Sequence, residues 1–331
     1  MSGCSKPDSS PRRETQQPPR TGLLWSADYK KHLTGPGHPE RPERLDAILR
    51  ALEPERVGVD LAHLAGRRAT REEILSCHAA AYDDLVRREA ESGRQELSTG
   101  DTAVCRDSFE IALLAAGGVL AAVDAVMERR LDSAFCAVRP PGHHARPAQG
   151  MGFCVFNNAA VAARYAQKTH GVGKVLIVDW DVHHGNGTQD IFYEDGSVFY
   201  FSTHESPWYP GTGRRDETGR GEGADANLNC PLSAGAGRDE IVGAFQDLLV
   251  PAADRFKPEL VIISAGFDSR AGDPLGGFRL TDQDFADLTS IMTGIARRHA
   301  AGRLVSVLEG GYDLRGLASA AAAHVSALAA P

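Results

Sequence analysis

The sequence predicts an α/β fold: a single three-layer domain with an open, mostly parallel sheet and helices on both faces. Two observations carry that expectation. Short, continuously apolar runs alternate with longer helical patterns, and polar segments rich in glycine, histidine and aspartate follow the runs directly. Length agrees: 331 residues at 42% hydrophobic and 24% charged make an ordinary globular balance, enough for one large core.

Taken in order, residues 1–20 hold four prolines and no apolar periodicity, so they predict a disordered tail ahead of one domain over 21–331. Arg12-Arg13 is too short for a localisation signal. Order is expected to begin at Gly22-Leu23-Leu24-Trp25 as a first strand. Buried parallel strands are predicted at 134–138, 174–178, 198–201, 260–263 and 304–308, each a β-branched or apolar run. Helices are predicted at about 107–130, 157–169, 238–256, 281–299 and 314–329. Thr281-x-x-Asp284 has the form of a helix start, with a hydroxyl to cap backbone N–H groups and an acid near the positive dipole end.

Several classes are disfavoured. No run approaches about 20 consecutive apolar residues, which argues against a membrane span, and the first 20 residues lack the apolar centre of a signal peptide. A net charge of −8 argues against direct nucleic-acid binding. Cys4, Cys77, Cys105, Cys136, Cys154 and Cys230 are scattered without a C-x-x-C pair, which suits a reducing compartment, and a cytoplasmic location is expected.

In such a sheet, ligands bind beyond the carboxyl ends of the strands. Arg139-Pro140-Pro141-Gly142-His143-His144 follows one predicted strand, and Asp179-Trp180-Asp181-Val182-His183-His184-Gly185-Asn186-Gly187 another. Ser264-Ala265-Gly266-Phe267-Asp268 and Glu309-Gly310-Gly311-Tyr312 follow two more. Any one of these histidines alone reads most simply as a surface or satisfied structural group, and Gly-Gly before Tyr312 as a turn. Several acids and two histidine pairs converging on one rim are harder to explain so, because buried acids are costly unless paired or bound to metal. Asp181, His183 and Asp268 would make a three-ligand metal site with one position left for water. Zinc suits it; two carboxylates and one imidazole are a hard set, so Fe(II), Co(II) and Mn(II) stay open. His143 and His144 would supply acid/base chemistry, with Asp179 and Asn186 orienting them. Metal-assisted hydrolysis of an amide-like bond is the reaction this suggests.

The segments RPPGHHA (139–145), GFCVFNN (152–158), VDWDVHHGNGTQ (178–189), SAGFDSRAGDPLGG (264–277) and LEGGYDL (308–314) together resemble the histone deacetylase family. HPERPERL (38–45) resembles its class II members in particular. The resemblance runs in order from about residue 22 to 329 and implies the arginase–deacetylase fold. It implies a zinc site at Asp181, His183 and Asp268, His144 as general base, His143 as its electrostatic companion held by Asp179, and Asn186 orienting His144. Tyr312 would polarise the acyl carbonyl, and Gly152, Phe153, Tyr209, Leu275 and Gly310 would belong to the substrate channel. A structural potassium ion would take Asp179 and Ser202, with carbonyls of Asp181, His183 and Thr203.

Several features of the chain bear on function. Trp208-Tyr209 stands where the family usually has a phenylalanine, which leaves the second channel wall open in position and polarity. Asn186 replaces the aspartate of class I members, as is normal in class II, and Tyr312 is tyrosine rather than the histidine of weakly active members. Asp101 falls in the region of the acid that grips the substrate backbone in relatives, without being assigned that role. The implied activity is removal of acetyl or related acyl groups from lysine side chains of a protein or peptide, with no membrane partner and homo-oligomerisation left open. An acetylpolyamine or small-metabolite amidohydrolase is the nearest alternative, and a non-catalytic acyl-lysine reader a remote one. Polyamine-selective relatives carry glutamate where this chain has Leu275, which favours the lysine substrate.

Overall fold

The computed structural model describes residues 20–330; the tail expected over 1–20 lies outside the described residues apart from Arg20. Eight strands form one sheet: β1 (Thr21–Leu24), β2 (Ala62–Leu64), β3 (Ser133–Cys136), β4 (Val175–Asp179), β5 (Val198–Glu205), β6 (Asn227–Leu232), β7 (Leu260–Ala265) and β8 (Leu304–Leu308). Their order is β2-β1-β3-β8-β7-β4-β5-β6, and every pairing is parallel. Each residue of β3, β4, β7 and β8 is buried, which is why those strands read as unbroken apolar runs rather than alternating ones. These four are also neighbours in the sheet, in the order β3-β8-β7-β4. Their carboxyl ends therefore set the four polar segments side by side.

The helices expected near 107–130, 157–169, 281–299 and 314–329 form at Ser108–Met127, Asn158–His170, Asp282–His299 and Leu314–Leu328. Thr281 and Asp284 make a reciprocal capping box: the Thr281 hydroxyl accepts from the Asp284 N–H, and the Asp284 carboxylate accepts from the Thr281 N–H at 2.8 Å. The span expected as one helix over 238–256 is instead Arg238–Ala244, a wide π turn at Phe245–Leu249, and Val250–Phe256. Pro251 has no N–H to continue the helical ladder and its ring crowds the preceding turn, and the wide turn accommodates it. The edge strands β2 and β6 were not expected: β2 has three residues and an exposed pattern, and β6 interleaves asparagines and Pro231, a residue tolerated at sheet edges.

One helix comes near the length and hydropathy of a membrane span without overturning the expectation about apolar runs. Ser108–Met127 has a mean hydropathy of 1.9 over a membrane-length window, although Glu110 and Asp124 interrupt its apolar run. That window is 72% buried inside the protein. A helix apolar on all sides and enclosed by its own fold is a core helix by the same physics that would admit it to a bilayer.

A buried ionic cluster ties the start of the domain to the rim. Glu40, Arg44 and Arg139 are fully buried. Arg139 grips both carboxylate oxygens of Glu40, and Arg44 Nη1 donates to Glu40 Oε1 at 3.1 Å. Arg44 also donates to the carbonyls of Gly311 (2.7 Å) and Glu309, and its guanidinium stands 5.0 Å from the Tyr312 ring centroid. Burial alone would raise the Glu40 carboxyl; the two guanidiniums outweigh it and hold it at about 2. Glu40→Gln leaves buried positive charge unbalanced and is expected to cost about 3–5 kcal/mol of stability, read by denaturant unfolding. A loss within about 0.5 kcal/mol would contradict that picture.

Candidate active site

Asp181 and His183 follow β4, Asp268 follows β7, and their donor atoms lie within 4.8 Å of one another. His183 Nδ1 is 3.0 Å from Asp181 Oδ1 and 3.3 Å from Asp268 Oδ2. Backbone N–H groups fix the carboxylates: Val182 donates to Asp268 Oδ1 (3.0 Å) and Gly310 to Asp181 Oδ2 (2.8 Å). Gly310 must lack a side chain here, because a Cβ would stand 2.0 Å from Asp268 Oδ2. Asp268 Oδ2 is buried, and its one near donor, His183 Nδ1 at 3.3 Å, makes no well-aligned hydrogen bond to it. Two buried carboxylates sharing one imidazole are costly unless a further cation joins them. The donor set therefore fits a divalent metal on physical grounds.

The tandem histidines arrive from the segment after β3, their rings 3.9 Å apart. His143 Nδ1 donates to Asp179 Oδ2 at 3.0 Å, an oxygen that also accepts from the Tyr200 hydroxyl. His144 Nδ1 donates to Asn186 Oδ1 at 2.8 Å, which leaves Nε2 as the acceptor. The two differ in charge. Burial opposes protonation of His143, but Asp181, Asp179 and Glu309 outweigh it and raise it to about 10. Burial, then the neighbouring His143 and His183, push His144 well below its ordinary value, so it is a neutral base. The Glu309 carboxylate anchors the histidine segment from β8, accepting from Gly142 N (2.7 Å), His143 N (3.1 Å) and the Ser264 hydroxyl (3.0 Å).

A cavity of about 200 Å³ leads down to these groups, lined by Asp101, His144, Gly152, Phe153, His183, Trp208, Tyr209, Leu275 and Tyr312. Phe153 and Tyr209 form its walls. The Phe153 ring stands edge-on to Tyr312 at 6.0 Å, and Tyr209 edge-on to His144 at 5.2 Å. Gly152 has φ +55°, and a Cβ there would meet His144 Cδ2 at 2.2 Å, so only glycine lets this wall close on the base. Tyr312 is held by its N–H donating to Asp273 Oδ2 at 2.6 Å. Burial first, then Asp268, keep its hydroxyl protonated as a donor.

A narrow apolar channel that ends on a metal-type donor set, a neutral base and a phenol donor is the geometry expected from the resemblance, and comparison with known proteins decides the family. The Histone deacetylase domain profile matches residues 38–328. This chain belongs to the histone deacetylase family. It is 40% identical over 302 residues to the Histone deacetylase-like amidohydrolase of Pseudomonas aeruginosa, covering 88% of this chain and 79% of that one. It is 42% identical over 319 residues to the Polyamine deacetylase HDAC10 of Homo sapiens, covering 93% of this chain and 46% of that one. The crystal structure of the HDA15 HD domain superposes with a TM-score of 0.87 at 38% identity, covering 93% of this chain and 90% of that one. The arginase–deacetylase α/β fold and membership of a deacetylase/amidohydrolase enzyme family follow.

Within this deacetylase-family fold, most of the expected site residues share one rim, with one correction and several additions. Gly310 does not line the channel; it packs beneath Asp181 and Asp268 and donates to the former. The second wall is Tyr209, with Trp208 beside it at the mouth, 48% exposed. Asp101 and Trp208 line the cavity although neither was assigned to it, and His38 packs edge-on against Phe153 at 4.6 Å. His204 drew no attention in the sequence. It is buried at the end of β5, sharing a hydrogen bond with the Ser202 hydroxyl (2.9 Å) and donating to the Gly213 carbonyl (2.9 Å), which ties down the loop that carries Tyr209. Asp179 and Ser202 are register partners of β4 and β5, and the Thr203 hydroxyl is buried without a partner. A second donor group, His143, Cys154 and Glu309, is also close-set, but Glu309 is occupied by its three donors.

Proposed function

We propose that the protein is a zinc-dependent lysine deacylase that hydrolyses the side-chain amide of acetyl-lysine or a related acyl-lysine in a protein or peptide. The observation that carries this reading is the Asp181/His183/Asp268 donor set at the floor of a narrow aromatic channel, facing both His144 and Tyr312. These three residues would hold the metal, and a borderline divalent cation bound there supplies Lewis acidity to the acyl carbonyl and to water. His144 Nε2, neutral and oriented by Asn186, removes a proton from the attacking water. His143, kept protonated by Asp181 and Asp179 and hydrogen-bonded to the latter, stabilises the negative charge that builds beside it. The Tyr312 hydroxyl donates to the acyl oxygen as its C=O bond opens. The C–N bond then breaks, and His144 returns its proton to the leaving lysine amine.

Phe153 and Tyr209 exclude water along the lysine methylenes. A potassium ion at Asp179, Ser202 and the Asp181, His183 and Thr203 carbonyls would brace the metal loop, and the orphaned Thr203 hydroxyl supports polar ligation nearby. The free cysteines Cys77, Cys105, Cys136, Cys154 and Cys230 suit a reducing compartment such as the cytoplasm.

A second reading, polyamine deacetylation, draws support from the 42% identity to a relative named for that activity. Leu275 argues against it. It lines the channel with an apolar side chain, so Asp101, already engaged with the Gly152 N–H and the Tyr209 hydroxyl, is the single carboxylate among the described lining residues that a polyamine's secondary ammonium could meet. In competition between an acetyl-lysine peptide and acetylspermidine, the wild-type enzyme is expected to prefer the peptide. Leu275→Glu is expected to shift kcat/KM toward the polyamine by roughly tenfold, the effect of a charge pair worth about 1.4 kcal/mol. A wild-type preference for acetylspermidine would overturn the lysine reading in favour of the polyamine one.

A further inference from the structure

Three backbone N–H groups from two separate loops converge on one carboxylate, that of Asp273. Its Oδ2 accepts from the N–H of Tyr312 at 2.6 Å and from that of Asp313 at 3.1 Å, across 39 and 40 positions of the chain. Its Oδ1 accepts from the Leu275 N–H at 2.9 Å. Asp273 is buried and does not line the channel, whereas Leu275 and Tyr312 both do. The Leu275 loop has further ties: the Trp208 indole N–H donates to the Leu275 carbonyl at 2.9 Å, and the Gly277 N–H to Glu205 Oε2 at 2.6 Å. Tyr312 follows Gly310 and Gly311, the latter at φ +117°, a stretch with no side chain to wedge it in place. Its backbone is held instead by Arg44, which donates to the Gly311 carbonyl at 2.7 Å, and by Asp273 one residue later.

We propose that Asp273 is a positioning residue that fixes the Tyr312 hydroxyl in register with the Leu275 wall, so that the carbonyl-polarising group and the side chain flanking the substrate are placed as one unit. The proposal rests on the deacylase reading and goes beyond it by naming what aligns the phenol donor. A donor aimed at a developing charge is effective only if its place is set in advance, and a displacement of about 1 Å can cost about 10²-fold in rate. Both carboxylate oxygens are required. Asparagine has the same shape but one acceptor, and its NH2 group would face one of the two loops donor against donor. The side with two donors should keep the carbonyl oxygen, so asparagine releases the Leu275 N–H and alanine releases both loops.

The test measures kcat, KM and bound zinc with an acetyl-lysine peptide for wild type, Asp273→Ala, Asp273→Asn, Tyr312→Phe and the Asp273→Ala/Tyr312→Phe double variant. Asp273→Ala is expected to lower kcat per bound zinc by about 10- to 100-fold and to raise KM about threefold, with zinc content at the wild-type level. In the Tyr312→Phe background the same substitution should change kcat by less than about twofold, because the hydroxyl it positions is gone, while the rise in KM persists. Asp273→Asn should raise KM with a much smaller loss of kcat. A crystal structure of Asp273→Ala should show the Tyr312 hydroxyl and Leu275 both displaced. An equal kcat loss with and without the Tyr312 hydroxyl, activity lost only in proportion to zinc, or both side chains unmoved in that crystal structure would overturn the assignment. If the wild type fails to hydrolyse the peptide while both side chains move in the variant, the deacylase reading falls and the positioning role stands, so the two failures are distinct.

Discussion

Asp268→Ala is expected to abolish metal retention and hydrolysis together. Asp268 contributes a fully buried carboxylate to the donor set, and alanine would leave only Asp181 and His183, too few ligands for tight binding. Asp181→Ala should behave alike. The same site predicts a pH dependence. Without a cation, the flanking carboxylates overcome burial to hold the His183 imidazole at about 10, and burial with the neighbouring Asp181 raises Asp268 to about 7. A metal must displace those protons, so affinity rises with pH. Below about pH 7 both protons compete and Kd falls roughly 100-fold per pH unit; from there to about pH 10 only the His183 proton competes, and the slope is roughly tenfold. Competition against a chromophoric chelator over that range measures both slopes. Affinity independent of pH, or stoichiometric metal in Asp268→Ala, would contradict the ligand assignment.

Tyr312→Phe is expected to lower kcat on an acetyl-lysine peptide by about 10²–10³ while metal content stays at the wild-type level. The phenol is a preorganised donor: its backbone is pinned by Asp273, its ring lies by Arg44 and Phe153, and its proton is retained because burial disfavours the phenolate. Phenylalanine keeps the packing and removes only the O–H. His144→Ala should cost at least as much, through loss of the neutral base oriented by Asn186. Near-normal turnover in Tyr312→Phe would mean that the acyl oxygen is stabilised elsewhere.

Much of this site is legible in the sequence because of how a parallel sheet works. β3, β4, β7 and β8 are buried on both faces, so their apolar runs are continuous, and the polar residues after each run must lie at one edge. That places Asp181, His183, Asp268, His143, His144 and Tyr312 at one edge from the residues alone. What stays hidden depends on contacts between distant segments. Glu309 reaches Gly142 across 167 positions, and its role as anchor has no local pattern. Glu40 and Arg44 sit one helical turn apart like any surface pair, yet are buried against Arg139 and the backbone beside Tyr312. Asp101 and Trp208 lie in loops without periodicity, and His204 is marked only by its position at the end of β5. Gly310 looks like part of a turn, and only the packing beneath Asp181 gives its missing side chain a purpose.

The most direct measurement is titration of metal-stripped protein with zinc, following acetyl-lysine peptide hydrolysis and bound metal in the same samples. Activity is expected to be absent at the start, to rise in proportion to bound zinc and to saturate at one equivalent per chain, with Asp181→Ala giving neither binding nor turnover. Full hydrolysis by protein that elemental analysis finds free of metal would contradict the assignment outright.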